Sequence, residues 1–579
     1  MKKLMLGNEA VARGAYEAGC TVAAAYPGTP STEITEYIAK YDEIYSEWSP
    51  NEKVALEVAI GASIGGARAI CAMKHVGLNV AADPLFTVSY SGVNGGLVIM
   101  VADDPGMHSS QNEQDSRFYA RSSKVPMIEP SDSQECKDFV KYAFAISEQF
   151  DCPVIVRLTT RVSHSQSAVE IGDKENFVLK EYVKDANKYV MMPAMARKRH
   201  VEVEKRMAAL REFSNSSDLN KIELNSPEVG IITSGISYQY VKEAAPNASV
   251  LKLGMVHPVP EKLILDFASK VNTLYVVEEL EPFFENQILK MGIKVIGKEK
   301  LPVMGELSAQ LIAEKLFDKK SEASELPTTQ PIPVRPPVMC PGCPHRGMYY
   351  VLKKLKLNVS GDIGCYTLGA LPPNECMDTC ICMGASIGVA HGLEKARGSE
   401  FGKKTVAVIG DSTFIHSGIT GLIDVVYNKG NSTVLILDNS ITGMTGHQHN
   451  PTTGFTIKGE PTKQVDLELL CKAIGIERVT VVDPFDVKEF EKVVKAEIEA
   501  DEPSVIISQR PCALLKNVKF EGSQLINQEK CKTCRACMRI GCPAIVDKGD
   551  HLEINSALCV GCKLCTKICS FNAIEGIGG

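Results

Sequence analysis

The chain has 579 residues, is 44% hydrophobic and 23% charged, and carries a formal net charge of −7. That length allows roughly three to five domains, and the composition is that of a globular protein rather than a disordered one. No basic run points to nucleic acid, and no apolar run reaches the roughly 18 residues that cross a bilayer. Asn8, Glu9 and Arg13 interrupt any signal-peptide core, so the expectation is a soluble cytoplasmic chain without a membrane or nucleic-acid partner.

In chain order, apolar runs bounded by turn residues predict buried parallel strands at 96–104, 153–159, 229–235, 274–280, 405–411, 433–439 and 504–510. Gly- and Ala-rich helical stretches alternate with them, a pattern of α/β layers with both sheet faces covered. Residues 191–225 are charged and Met-, Ala- and Arg-rich and read as a helical connector. The polar, Pro-rich segment 317–337 reads as a linker. The predicted units are thus 1–190, 226–316, 338–515 and 522–579.

The stretch "GDSTFIHSG" begins at Gly410, and "LDNSITGMTG" follows the next strand. Asp411 and Asn439 therefore stand at the C-terminal ends of two neighbouring strands, where open α/β sheets bind ligands. Both offer the hard oxygens that Mg²⁺ takes when it holds a diphosphate. Gly410 and the small residues after Asp411 let backbone N–H groups approach phosphate at a helix start. The pair resembles the thiamine diphosphate motif, with 25 residues between Ser412 and Asp438. Gly410, Asp411, Ser412, Asn439 and Ile441 are its candidate residues, and an ordinary strand–helix turn is the rival reading. His345 and His416 lie beside cofactor motifs and join the candidates. Thiamine chemistry decarboxylates a 2-oxo acid and leaves a strong reductant. It needs a buried carboxylate beside the cofactor's aminopyrimidine ring. In "WSPNEKVALEVAIGASIGG", Glu52 opens a helix with a glycine-rich face; Glu57, five residues on, points elsewhere.

Twenty cysteines are many for a reducing compartment and favour metal binding over disulfides. Eight of them form two C-terminal runs. A C-x2-C-x2-C turn places three thiolates on one iron–sulfur cube, and the remaining cysteine of each run serves the other cube. Cys531, Cys534, Cys537 and Cys569 are assigned to one [4Fe–4S] cluster. Cys559, Cys562, Cys565 and Cys542 are assigned to a second. The first run has four residues, not the usual three, before Cys542, which alters the backbone path there. A pair of zinc sites is the rival reading. The region resembles a bacterial two-cluster ferredoxin.

With "YPGTPSTE" (26–33), "NEKVALE" (51–57), "KHVGLNVAADP" (74–84), "ADDPGMHSSQNEQDSR" (102–117), "CPGCPHR" (340–346) and "GDIGCYTLG" (361–369) added, nearly the whole chain resembles one family. It is the alpha subunits of indolepyruvate:ferredoxin oxidoreductases, within the 2-oxoacid:ferredoxin oxidoreductases. The resemblance implies a thiamine-diphosphate-enzyme fold: a pyrimidine-side domain (1–190), a transketolase-C-terminal-like domain (226–316) and a diphosphate-binding domain (338–515). A two-cluster ferredoxin domain (522–579) follows. It implies oxidative decarboxylation of aryl 2-oxo acids with CoA, thiamine diphosphate and Mg²⁺, giving aryl-acetyl-CoA, CO2 and reduced ferredoxin. It also implies a smaller beta subunit, in a dimer of heterodimers. Thr29 then contacts the substrate, although Pro-Gly-Thr-Pro is equally a tight turn. His75 and His108 lie in loops that suit the same cavity. In related pyruvate enzymes a further cluster near thiamine uses a C-x2-C pair, a cysteine after a glycine, and one past the thiamine motif. Here those are Cys340, Cys343, Cys365 and Cys512, with a zinc site or free thiols packed near the cofactor as the rival readings. Cys376, Cys380 and Cys382 have no such role and read as buried small hydrophobes; Cys20, Cys71, Cys136, Cys152 and Cys471 read as core packing. A pyruvate-type oxidoreductase, a non-oxidative thiamine decarboxylase and a bare electron-transfer subunit are the competing functions.

Overall fold

In the computed structural model, which describes residues 1–319, 335–520 and 522–576, each of the seven apolar runs overlaps a strand. They are Leu97–Asp103, Val154–Thr159, Ser226–Ser234, Thr273–Val277, Thr405–Gly410, Thr433–Asp438 and Ser504–Gln509. The chain divides into two compact units, Met1–Pro327 and Thr328–Gly579. The expected linker 317–337 lies largely outside the described residues.

The first unit holds a seven-stranded sheet. Across it run Met255–His257, Met127–Ile128, Val154–Thr159, Leu97–Asp103, Ala69–Lys74, Val22–Ala25 and Tyr45–Trp48. All pairings are parallel except the outermost, where Met255–His257 runs antiparallel to Met127–Ile128. This strand comes from the segment read as a separate unit, so 226–316 extends the first sheet as well as building its own. Its own sheet has four strands, Thr273–Val277, Ser226–Ser234, Ala248–Leu253 and Lys221–Glu223. The last lies within 191–225, just beyond the long helix Pro193–Ser216. Parallel strands buried on both faces need no alternation, and every residue of Leu97–Asp103 and Ala69–Lys74 is buried.

The second unit holds a six-stranded, all-parallel sheet. Its order is Thr379–Cys380, Asn358–Gly361, Thr405–Gly410, Thr433–Asp438, Ser504–Gln509 and Arg478–Val482. Two antiparallel ribbons follow, Gln524–Ile526 with Ile574–Gly576 and Ile545–Asp547 with Leu552–Ile554. Their apolar residues share one core with the sheet domain: Ile540, Ile545 and Leu564 belong to the same buried cluster as Met348, Tyr349 and Leu435. The cysteine-rich tail is therefore packed onto the sheet domain, not strung beside it. Among the described residues no helix is long and apolar enough to cross a membrane.

Candidate active site and cluster cavities

Beyond the carboxyl ends of the central strands of the second unit, three polar residues emerge from three adjacent strands. Asp362 follows Gly361, Asp411 follows Gly410 and Asn439 follows Asp438. All three are buried. Asp362 is spent on the fold: its carboxylate accepts from Gly384 N at 2.8 Å and Ser386 N at 3.0 Å, capping the helix Ala385–Arg397. Asp411 accepts from Ser412 N (2.8 Å) and Thr452 Oγ1 (3.2 Å), both neutral. Burial, and then the neighbouring Asp438, push its pKa up to about 7. Among the described residues it forms no ion pair. Asn439 Oδ1 accepts from Ile441 N at 3.3 Å.

The loop after Asn439 folds back over Asp411. Asn450 Oδ1 accepts from Thr452 N at 2.8 Å and lies 2.7 Å from the Thr452 hydroxyl, which is shared between Asn450 Oδ1 and the Asp411 carboxylate. Two buried acids without a cation fit a divalent ion: its charge would relieve the cost that burial places on Asp411. Gly410 also answers a packing demand. A Cβ there would stand 2.7 Å from the Tyr366 ring, so the glycine makes room for Tyr366. Tyr366 in turn donates to Ile363 O at 2.8 Å. His416 is buried in a π-helical turn, Phe414–Gly418, with Nδ1 2.5 Å from Ser417 Oγ; such turns recur at functional sites. His345 is buried edge-on against Tyr366, and burial, with Arg346, brings its pKa down to about 4.

The eight tail cysteines surround two small cavities. One is lined by Cys531, Cys534, Cys537 and Cys569, the other by Cys542, Cys559, Cys562 and Cys565. Thr533, Arg535, Gly561 and Lys563 sit at positive φ between the cysteines and curl the backbone around each cavity. Gln524 N and Ala573 N donate to Cys559 Sγ and Cys569 Sγ, each at 3.4 Å. The extra residue before Cys542 is absorbed by the 3₁₀ turn Ala536–Ile540 and by Gly541 at φ +67°. Cys340, Cys343, Cys365 and Cys512 are also neighbours. Burial raises the thiol of Cys343 to about 12 and that of Cys365 to about 11. Cys365 and Cys340 add to the first shift, Cys512 and Cys340 to the second. This group adjoins the Asn439 loop: Cys512 N donates to Asn439 O at 2.9 Å, and a Cβ on Gly443 would lie 3.4 Å from Cys365 Sγ. Among the described residues no three His, Cys, Asp or Glu side chains are gathered tightly enough for a single metal ion. Cys376 is buried, but Cys380 is half-buried and Cys382 exposed, so the three are not one packed cluster. Cys20, Cys71, Cys136, Cys152 and Cys471 are all buried.

The first unit gathers a second set of residues at its strand ends. Glu52 is buried at the start of the helix Glu52–Ile64, whose N-cap Asn51 accepts from Val54 N at 2.9 Å. The glycine that makes room for it is not on its own helix: Gly61 has open space around it, whereas a Cβ on Gly77 would meet Glu52 Oε1 at 2.5 Å. Glu57 is exposed and paired with Lys53. Lys74, unremarked in the sequence, lies along Gly28, and its ammonium donates to Ser109 O at 2.9 Å. Burial lowers its pKa to about 8 against the opposing pull of Asp104 and Glu52. Ser109 bridges onward, donating through Oγ to Thr29 O at 3.0 Å and through N to Asp104 at 2.8 Å. Thr29 is half-buried and follows Gly28. His75 is fully buried with Nε2 3.2 Å from Asn112 O, and burial lowers its pKa. His108 is exposed and meets Glu306 at 3.0 Å.

Fold and cysteines together define a thiamine-enzyme scaffold joined to an iron–sulfur module. Residues 13–227 match the family "Pyruvate flavodoxin/ferredoxin oxidoreductase, thiamine diP-bdg". Residues 362–508 match "Thiamine pyrophosphate enzyme, C-terminal TPP binding domain", and 552–575 match "4Fe-4S binding domain". Similar curated proteins include the "Indolepyruvate oxidoreductase subunit IorA" of Archaeoglobus fulgidus, 43% identical over 99% of this chain and 97% of its own. Those of Pyrococcus horikoshii, 42% identical over 100% and 97%, and Methanothermobacter thermautotrophicus, 39% over 100% and 98%, are also similar. The chain belongs to the family of these indolepyruvate oxidoreductase subunits.

Proposed function

We propose that this chain is the larger, thiamine-bearing subunit of an enzyme that oxidatively decarboxylates aryl 2-oxo acids such as indolepyruvate. One 2-oxo acid and one CoA become one acyl-CoA, one CO2 and one proton, and two electrons pass singly to ferredoxin. The relatives' shared name supports the substrate class, and their designation as a subunit supports a smaller partner chain, in a heterodimer or a pair of them. The observation that carries the reading is one contact. A Cβ on Gly342, inside Cys-Pro-Gly-Cys, would stand 2.8 Å from Val560 Cγ2, inside Cys-Val-Gly-Cys. The thiamine fold and the ferredoxin fold meet through their cysteine loops, an arrangement that suits an electron exit.

Thiamine diphosphate, when bound, supplies the nucleophilic carbon that takes up the 2-oxo acid, releases CO2 and leaves two electrons to be removed. Asp411 and Asn439 hold its Mg²⁺, with Gly410, Ser412 and Ile441 around the diphosphate and His345 and His416 behind the loop. Glu52 holds and returns the proton of the aminopyrimidine ring; burial beside Gly77 keeps that carboxyl away from water. Lys74, with Thr29 next to it, receives the substrate carboxylate: a buried ammonium with one backbone partner at 2.9 Å is ready for an anion. Three [4Fe–4S] clusters follow. The first is held by Cys340, Cys343, Cys365 and Cys512 beside the Asn439 loop. The second is held by Cys542, Cys559, Cys562 and Cys565, and the third by Cys531, Cys534, Cys537 and Cys569. The Gly342–Val560 contact supports that order.

The test is anaerobic. Holoenzyme with its partner chain, thiamine diphosphate and Mg²⁺ is mixed with indolepyruvate or pyruvate, and the visible iron–sulfur absorption is followed. Bleaching by indolepyruvate and not by pyruvate is expected. Bleaching by both keeps the mechanism and refutes the aryl preference; no bleaching, with iron and cofactor present, refutes the electron exit. Glu52→Gln is expected to retain thiamine diphosphate while turnover drops about 10²- to 10⁴-fold, the usual worth of a proton-transferring group. Full activity in that variant would remove Glu52 from the mechanism.

A further inference from the structure

Arg346 is a guanidinium that the function above does not use. It is 1% exposed, on the first turn of the helix that follows the Cys340–Cys343 loop. A buried arginine normally pairs with a carboxylate. This one spends its donors on backbone carbonyls of two loops. Nε donates to Cys340 O at 3.0 Å, and Nη2 donates to Met339 O. Nη1 donates to Ile540 O at 3.1 Å and to Gly541 O. The charges that act on it most are the thiols of Cys343, Cys542, Cys340 and Cys562. Two of these belong to the candidate cluster beside the thiamine loop and two to the cavity lined by Cys542, Cys559, Cys562 and Cys565.

The extra residue of the first tail run falls in this contact. Gly541 stands immediately before Cys542, at φ +67°, and a Cβ there would lie 3.2 Å from Arg346 Nη1 and 3.0 Å from Pro373 Cδ. With four residues rather than three after Cys537, the chain turns two successive carbonyls, Ile540 and Gly541, onto one guanidinium. The unusual spacing is thus the docking point of the ferredoxin fold on the Cys-Pro-Gly-Cys loop.

We propose that Arg346 is a positioning residue that couples two iron–sulfur sites: it pins their loops together and, by its fixed positive charge, raises the reduction potential of both clusters. The inference rests on the cluster assignment given above. In the step it serves, one electron leaves the Cys340-set cluster, which goes from [4Fe–4S]⁺ to [4Fe–4S]²⁺. The Cys542-set cluster goes from [4Fe–4S]²⁺ to [4Fe–4S]⁺, and no proton moves. With four thiolates, each cluster carries a net charge of about −2 oxidised and −3 reduced. A buried cation between them favours the more negative form of either, and more strongly than it would in water. The cluster of Cys531, Cys534, Cys537 and Cys569, whose thiols are not among those that act most on the guanidinium, feels it least.

The experiment compares Arg346→Gln and Arg346→Lys with the parent protein, each purified anaerobically with its partner chain. Iron is counted first, and the clusters are then titrated potentiometrically by electron paramagnetic resonance. In Arg346→Gln the reduction equilibria of two clusters are expected to shift at least tenfold toward the oxidised form, about 60 mV for a one-electron couple, while the third stays in place. Arg346→Lys, which keeps the charge and loses the fork, is expected to hold both potentials within threefold of the parent. Full iron in Arg346→Gln with unchanged potentials would overturn the inference. If Arg346→Gln does not load iron, Arg346→Lys decides: a tenfold fall there would overturn it equally. A parent protein without iron at the Cys340 set would overturn the cluster assignment itself.

Discussion

Both parallel sheets bury acids beyond the carboxyl ends of their central strands, and they treat those acids oppositely. In the first, Asp103 closes the strand Leu97–Asp103 and is met by Arg157 Nε at 2.7 Å, which also pairs with Glu129. Arg117 does the same for Asp115 and Glu278, each at 2.6 Å. In the second sheet, Asp411 has only neutral hydrogen-bond partners and a second carboxylate for company, and its pKa rises to about 7. An acid that the chain neutralises itself serves the fold. An acid that the chain leaves uncompensated, at the mouth of a sheet, is the kind a bound cation would neutralise.

Breaking the first arrangement costs the most. Arg157→Met leaves Asp103 and Glu129 buried without their partner and is expected to cost about 3–5 kcal/mol, the range for one-sided loss of a buried pair. Thermal and urea unfolding followed through Trp48, on the same sheet, would read it; a loss under about 1 kcal/mol would deny the pair its structural role. Breaking the second costs the apoprotein little and the holoprotein its ligand. Asp411→Asn is expected to change cofactor-free unfolding by less than about 1 kcal/mol. The stabilisation by Mg²⁺ and thiamine diphosphate at a hundredfold excess over Kd, about 2.7 kcal/mol, should vanish. Retained stabilisation would place the cation elsewhere.

Lys74 lies between these cases, a buried cation only partly offset by Asp104 and Glu52. Its lowered pKa means that it is charged below about pH 8 and neutral above. kcat/KM for an aryl 2-oxo acid should therefore fall as pH rises through about 8, since that ratio reports the free enzyme. Lys74→Met should lose about tenfold in kcat/KM, roughly 1.4 kcal/mol, and should lose that alkaline limb with it. A preserved limb would assign it to another group. The smallest effect belongs to Glu57, whose exposed pair with Lys53 contributes little. Glu57→Gln should leave melting and turnover unchanged, in contrast to Glu52→Gln.

The sequence showed what is written locally. Runs such as Val406–Ile409 and Thr433–Leu437 are rich in β-branched and apolar residues, and they are strands. The tail cysteines announce their quartets by spacing alone, and two cavities are lined by the expected sets. Strands built from small residues were invisible. Val22–Ala25 and Ala69–Lys74 are rich in alanine, which has little strand preference, and they pair in the middle of a sheet because their neighbours bury them. Met255–His257 is three residues long and owes its strand to Met127–Ile128. The charge pattern of the site was equally hidden, because it is made by pairs distant in the chain. Arg157 meets Asp103 across 54 residues, and Arg117 meets Glu278 across 161. Arg346 reaches Gly541 across 195, and nothing in "CPGCPHR" says that its arginine faces carbonyls. Lys74 and Thr452 act through loops whose return path only the fold defines.

In the proposed route, electrons leave the thiamine fold through a cluster on Cys340, Cys343, Cys365 and Cys512 before reaching the tail. The most direct measurement is the anaerobic iron content of the parent protein and of Cys512→Ala, with the reduced-state paramagnetic spectrum of each. About 12 irons per chain are expected in the parent and about 8 in the variant. The two tail clusters should remain visible in the variant, reducible by dithionite and no longer by substrate. An unchanged iron count, or tail clusters still reduced by substrate at the parent's rate, would contradict it.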